Sequence, residues 1–118
     1  MYSTYLGGSA YDVGMGIAVD GSDNVILTGA FQGAVDFGGG ALTSAGAYDI
    51  FLAKYTASGA HVWSESEGST INQLGSAVAV NGSSNVALTG CFENMVDFGG
   101  GIHFSTGGYD IFLTSLMP

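Results

Sequence analysis

The sequence predicts an all-β protein built from two copies of one antiparallel unit. Residues 16–31 have the pattern strand, turn, strand, and they return almost letter for letter at 77–92. Aligning residues 1–57 with 62–118 needs no gap and gives 26 identical positions. The 21 glycines and single proline suit strands and turns better than helix interiors. A long fixed period is typical of repeat architectures, so residues 1–61 and 62–118 are predicted as two repeats of one continuous unit.

The first repeat opens with a predicted strand at residues 2–6, in a segment whose residues 1–6 align with 62–67, followed by a loop at 7–14. Strands are then predicted at 16–20 and 24–31, joined by a polar turn. Residues 16–20 are apolar on both faces, so both faces are expected to be covered. Their small side chains predict that this strand and its copy at 77–81 are the innermost strands of their units.

The rest of the repeat predicts two more strands, at 49–55 and 61–66. Residues 35–37 and Leu42 flank three glycines and could form a short extra hairpin. Each unit is therefore an up-and-down meander of four strands with an insertion between the second and third. The second repeat ends on its third strand, at 110–116.

Tandem four-stranded meanders that are apolar on both faces are what a β-propeller requires. Four segments carry a resemblance as well: YSTYLGGS at 2–9, GIAVD at 16–20, the N-V-x-L-T-G core at 24–29 and YDIFLAKYTASG at 48–59. They resemble the bacterial β-propeller repeat family called SBBP repeats. The resemblance implies propeller blades, an extracellular or cell-surface location, and a scaffold or binding role without a shared catalytic motif. The second repeat departs from the pattern at its end, where LTSLMP replaces LAKYTA.

Charge and hydropathy exclude several classes of partner. One lysine, no arginine and ten acids give a net charge of −9, so the chain lacks the cations that bind nucleic-acid phosphates. No apolar run approaches the roughly 20 residues of a membrane span, and the sequence shows no signal-peptide pattern. Cys91 is the single cysteine and aligns with Ala30, which predicts a small buried residue.

The sequence predicts neither a catalytic site nor a cofactor. Asp20 and Asp23 are weak candidates for calcium ligands in a polar turn. The second repeat has Asn81 and Ser84 at these positions, which favours a hydrogen-bonded turn and no metal. The two histidines occupy unequal repeat positions, and no nucleophile motif accompanies them. A carboxylate pair could still form in space, but nothing selects one among Asp12, Glu65, Glu67 and Glu93.

The predicted function is a non-catalytic structural or protein-interaction scaffold that assembles head to tail with itself. Two blades cannot close a ring, so the ring is completed by further copies or by a longer parent chain, unless the contact stays open and makes a filament. The alternative is a glycan-binding propeller, because aromatic rings stack on sugar faces. The candidate ligand-binding residues are Tyr5, Tyr11, Tyr48, Trp63 and Tyr109.

Overall fold

The computed structural model describes residues 3–69 and 71–116, and these form nine strands with no helix among them. The all-β prediction is confirmed. None of the described residues belongs to a helix that could cross a membrane. The strands are β1 (Asp12–Val19), β2 (Val25–Phe31), β3 (Ala34–Asp36), β4 (Ala41–Thr43), β5 (Asp49–Tyr55), β6 (His61–Glu67), β7 (Gln73–Val80), β8 (Val86–Asp97) and β9 (Ile102–Leu116).

The first sheet has the order β1-β2-β5-β6, with every neighbouring pair antiparallel. This is the meander that the sequence predicts for the first repeat. The extra hairpin also forms, as the separate two-stranded sheet β3-β4 between the second and third strands of the meander. Inside the sheet, the Thr28 hydroxyl donates a 2.9 Å hydrogen bond to the Phe51 carbonyl, which satisfies a fully buried side chain.

The second sheet has the order β7-β8-β9, and its strands are longer than the sequence predicts. The copy of the extra hairpin is continuous with the sheet here, because β8 and β9 stay paired to Asp97 and Ile102. The pairing shifts register at Asn94, whose φ is 68°, and Gly33 at the same repeat position has φ 67°. Both repeats have a residue with positive φ at this position, and they differ in how far the strands stay paired beyond it.

Two sequence predictions in the first repeat are wrong. Residues 12–14 belong to β1 and not to a loop, since Gly14 pairs with Gly29 and extends the ladder beyond the apolar run. Residues 3–6 are not in a strand, because no neighbouring strand pairs with them in this chain. Tyr2, the remaining residue of that predicted strand, lies outside the described residues.

The two sheets pack against each other through one apolar cluster, and the β3-β4 hairpin covers part of the opposite face of the first sheet with another. The cluster shared by the two sheets contains Ile26, Ile50, Leu52, Val86, Leu88, Phe92, Val96 and Phe112. The hairpin cluster contains Phe31, Val35, Phe37, Phe51, Ala53 and Tyr55. The Phe37 and Phe51 rings stack at 4.7 Å between centroids. The first sheet thus buries one face against the second sheet and part of its other face under the hairpin, and the second sheet buries one face against the first.

Candidate interaction surface

The second sheet exposes apolar side chains at the repeat positions where the first sheet buries them. Ile50 and Leu52 of β5 lie against the second sheet and are 1% and 2% exposed. Their counterparts 61 positions later on β9, Ile111 and Leu113, are 84% and 81% exposed. We call the face of the second sheet that carries Ile111 and Leu113 the tail face. It is a copy of a surface that is buried inside the same chain, which makes it a candidate interaction surface.

A complementary surface lies on the outer side of the first sheet. Ile17 and Val19 of β1 are 65% and 58% exposed there, so the prediction that both faces of this strand are covered is wrong for the single chain. Their counterparts Val78 and Val80 are half-buried and pack against the cluster shared by the two sheets. We call the face that carries Ile17 and Val19 the head face. In the second sheet, the equivalent face packs on the first sheet.

Glycines mark the close approach of the two sheets. A Cβ added at Gly75 of β7 would collide with the Thr28 hydroxyl and lie 3.0 Å from Ile50, both in the first sheet. A Cβ added at its counterpart Gly14, on the head face, would meet no atom of the described residues within 4 Å. A Cβ at Gly16 would lie 2.9 Å from the Cα of Ala77, so β1 and β7 do crowd together as their small residues predict. Whether they are innermost strands of a closed ring stays a prediction.

The segment before β1 is held in the same way as the connection between the two sheets. The backbone N–H of Gly8 donates to the Asp12 carboxylate at 2.9 Å, and the N–H of Ser69 donates to the Gln73 side chain at 2.9 Å, 61 positions later. Leu6 packs on the hairpin cluster of the first sheet. The segment around residues 6–12 therefore sits on the head face much as the end of β6 sits on the second sheet.

A groove of about 480 Å³ runs along the edge of β9 that pairs with no strand among the described residues. Phe98, Gly100 and Gly101 line one side, and residues 110–115 of β9 line the other. In the first sheet, β6 pairs with β5 at the corresponding edge, and a Cβ on Gly38 or Gly39 would collide with His61 at the start of β6. The groove is therefore the place that a fourth strand occupies in the first sheet.

The structure does not gather the predicted ligand-binding aromatics into one cleft. Tyr5, Tyr11 and Tyr109 are exposed at separate points of the chain, and Tyr5 is 92% exposed. Trp63 packs at the edge of the cluster shared by the two sheets. Tyr48 is half-buried, and its backbone accepts a hydrogen bond from the N–H of Gln73 and donates one to the Asn72 side chain. None of the five lines the groove along β9, and glycan binding stays a prediction.

The Asp20 carboxylate, a weak candidate metal ligand, is engaged in hydrogen bonds within its own turn. It accepts the backbone N–H groups of Ser22 and Asn24 and the Asn24 side-chain amide, and Lys54 Nζ lies 3.1 Å away. The side-chain and backbone hydrogen bonds from Asn24 hold the pKa of Asp20 well below its ordinary value. Asn81 makes the same two backbone contacts in the second repeat without a charge. The hydrogen bonds of the turn therefore explain why both repeats have a side-chain oxygen at this position.

Asp23, the other weak candidate, is an exposed turn residue with φ 64°, and Ser84 has φ 62° at the same repeat position. Aspartate tolerates this left-handed conformation better than most side chains. Among the residues that the structure describes, no group of three or more histidine, cysteine or acidic side chains could hold a metal ion.

Asp49 and Glu67 are acidic side chains near each other in the first sheet, since Glu67 of β6 pairs with Ile50 of β5, and both are partly desolvated. Burial raises the pKa of Asp49 above its ordinary value. The pKa of Glu67 is raised by burial and also by the negative charges of Glu65, Asp97 and Asp49. Groups with a raised pKa in the folded state contribute stability that is present below their unfolded pKa and is lost as pH rises through the folded pKa.

We expect Glu67→Gln to raise the melting midpoint at pH 7 by a few degrees and to flatten its change between pH 5 and pH 7, because it removes an unfavourable negative charge. The pKa of Asp20 is lowered and not raised, so this residue stabilises the folded state above its ordinary pKa of 3.8, and that stabilisation is lost only as the pH falls below 3.8. Thermal melts followed by circular dichroism at both pH values test this. Asp23→Asn on the exposed turn is the matched control, and an unaltered pH dependence in Glu67→Gln would contradict the assignment.

No protein-family model matches the chain, and comparison with the curated proteins finds no match. The feature that bears most on function is the different covering of equivalent faces in the two repeats.

Proposed function

We propose that the chain is a non-catalytic module of the β-propeller type that assembles head to tail with further copies of itself and serves as a structural or protein-interaction scaffold. The observation that carries this proposal is the exposure of Ile111 and Leu113 at positions where Ile50 and Leu52 are buried. The head face of one copy would cover the tail face of the next, as the second sheet covers the first. Burying an isoleucine or leucine fully is worth roughly 1.5–3 kcal/mol, so the contact has a substantial apolar driving force.

The contact is heterologous, since it joins two different faces, and it closes into a ring when the rotation between copies allows. Propellers usually have four to eight blades, so two blades per chain correspond to two, three or four chains. We favour three or four because most propellers are of that size. The resemblance to secreted and surface repeats supports an extracellular or cell-surface scaffold. The charge of −9 and the pairing of Lys54 with Asp20 speak against a nucleic-acid partner.

A charge placed on the tail face tests the proposal. We expect Leu113→Asp to sediment as a monomer while the wild type sediments as an oligomer, because assembly would bury an unpaired carboxylate at a cost of several kcal/mol. Ala57→Asp, in the exposed turn after β5, adds the same charge elsewhere and is expected to assemble normally. Analytical ultracentrifugation gives the result, with circular dichroism to check folding. If Leu113→Asp sediments like the wild type, the tail face is not the contact.

A further inference from the structure

The first sheet shows which residues would pair with the outer edge of β9, because β6 pairs with the corresponding edge of β5. In the first sheet, β6 pairs antiparallel with β5, and the partners include Ile50 with Glu67 and Ala53 with Ser64. The residues of β9 lie 61 positions after those of β5, and the residues that align with β6 in the first repeat lie 61 positions before it. The same register therefore places Leu6 opposite Ile111 and Ser3 opposite Thr114. The segment that aligns with β6 is residues 3–6, which the single chain leaves outside any strand.

We propose that residues 3–6 of one copy form the fourth strand of the second sheet of the next copy, antiparallel to β9, with Leu6 opposite Ile111 and Ser3 opposite Thr114. This inference rests on the head-to-tail assembly proposed above and names the segment that completes it. The added strand occupies the side of the groove along β9 that no described residue of the same copy fills.

The N-terminal segment is already placed for this exchange. The hydrogen bond from Gly8 to Asp12 repeats the one from Ser69 to Gln73, so residues 8–12 are held as residues 69–73 are held in the connection from β6 to the second sheet. When a neighbouring tail face docks on the head face, residues 3–6 would move to its β9 edge while the hydrogen bond from Gly8 to Asp12 stays in place.

A backbone contact between the sheets supports the same register. The N–H of Gln73 donates a 2.9 Å hydrogen bond to the carbonyl of Tyr48, from the second sheet to the first. Across the boundary between copies, the equivalent hydrogen bond joins the Asp12 N–H of one chain to the Tyr109 carbonyl of its neighbour. This hydrogen bond joins two backbone groups, so it can form although the donor residue is Gln73 in one repeat and Asp12 in the other.

The exchanged strand also avoids a repulsion that the first sheet carries. Burial raises the pKa of Glu67 in β6, and the negative charges of Glu65, Asp97 and Asp49 raise it further. The corresponding residues of the exchanged segment are Thr4 and Leu6, which are uncharged. Pairing between copies therefore adds no negative charge at this edge, in a chain that already carries −9.

Cysteine cross-linking between two different variants tests the register. Ser3→Cys chains and Thr114→Cys chains, both with Cys91→Ala, are unfolded in urea, mixed and refolded, then treated with oxidised glutathione. Directly opposed residues bring Cβ atoms to about 4.5–5.5 Å, close enough for a disulfide after small adjustment. We expect a covalent dimer on a non-reducing gel from this mixture. Cys91→Ala is a mild background because Ala30 occupies the equivalent position.

The matched control replaces Ser3→Cys by Tyr5→Cys, whose expected partner is Phe112, so that the cysteines are two residues out of register. We expect at least a tenfold slower cross-link from this mixture. Equal or faster cross-linking of Tyr5→Cys with Thr114→Cys would overturn the register. Assembled particles without any Ser3–Thr114 cross-link would overturn the strand exchange while leaving the proposed function intact. Refolded variants that are monomeric, beside a monomeric wild type, would overturn both.

Discussion

Replacing Gly75 by leucine is expected to unfold the chain, whereas the same replacement at Gly14 is expected to leave it folded and abolish assembly. A side chain at Gly75 would be driven into Thr28 and Ile50, where the two sheets are in contact. At Gly14 the space is open among the described residues of one chain, and only a docked neighbour would fill it. Neither glycine has a positive φ, so leucine is compatible with the backbone at both positions.

Circular dichroism and light scattering on the two variants separate these outcomes. Gly75→Leu is expected to lose its strand signal at 25 °C, since forced overpacking of a small fold removes most of its stability. Gly14→Leu is expected to keep the wild-type spectrum and to have the mass of one chain. Gly82→Leu, in an exposed turn where a Cβ also meets nothing within 4 Å of the described residues, controls for the loss of a glycine. A fully assembled Gly14→Leu protein would show that the head face is not a contact.

The second large effect is expected at Ile50, in the cluster that joins the two sheets. Ile50→Ala removes a side chain that is 99% buried, and we expect it to lower the free energy of unfolding by about 2–5 kcal/mol. Ile111→Ala removes the same atoms from the tail face. In the monomeric Gly14→Leu background, we expect Ile111→Ala to change the free energy of unfolding by less than about 0.5 kcal/mol.

Urea denaturation of both variants in that background measures the difference. In an otherwise wild-type chain, Ile111→Ala is expected to weaken assembly instead, because the tail face is covered there. The two substitutions remove identical atoms at the same repeat position, so their contrast reports only on what covers each face. Equal destabilisation by Ile50→Ala and Ile111→Ala in the monomer would contradict the assignment of the faces.

Much of the fold follows from the sequence because the two repeats supply the same evidence twice. The constant offset of 61 residues and the apolar runs at 25–31 and 49–55 predict the central strands β2 and β5 closely. The turn at Asp20 is predicted because aspartate there and asparagine at position 81 of the second repeat can both accept a hydrogen bond from a backbone N–H of the same turn.

Other features depend on contacts that a local pattern does not contain. The start of β1 at Asp12 depends on pairing with Phe31, which no run of residues 7–14 reveals. The long β8 depends on whether the bend at Asn94 keeps its strand paired with β9. The candidate site was missed for the same reason. Ile50 and Ile111 both lie within the same five-residue sequence, YDIFL, and only the position of each sheet in the chain decides which one is exposed.

The particle mass of the wild-type protein, measured by multi-angle light scattering across a range of concentrations, tests head-to-tail assembly most directly. We expect a discrete particle of three or four times the 11.9 kDa chain mass at high concentration, with dissociation on dilution. A well-folded, stable monomer of 11.9 kDa at every concentration would contradict it.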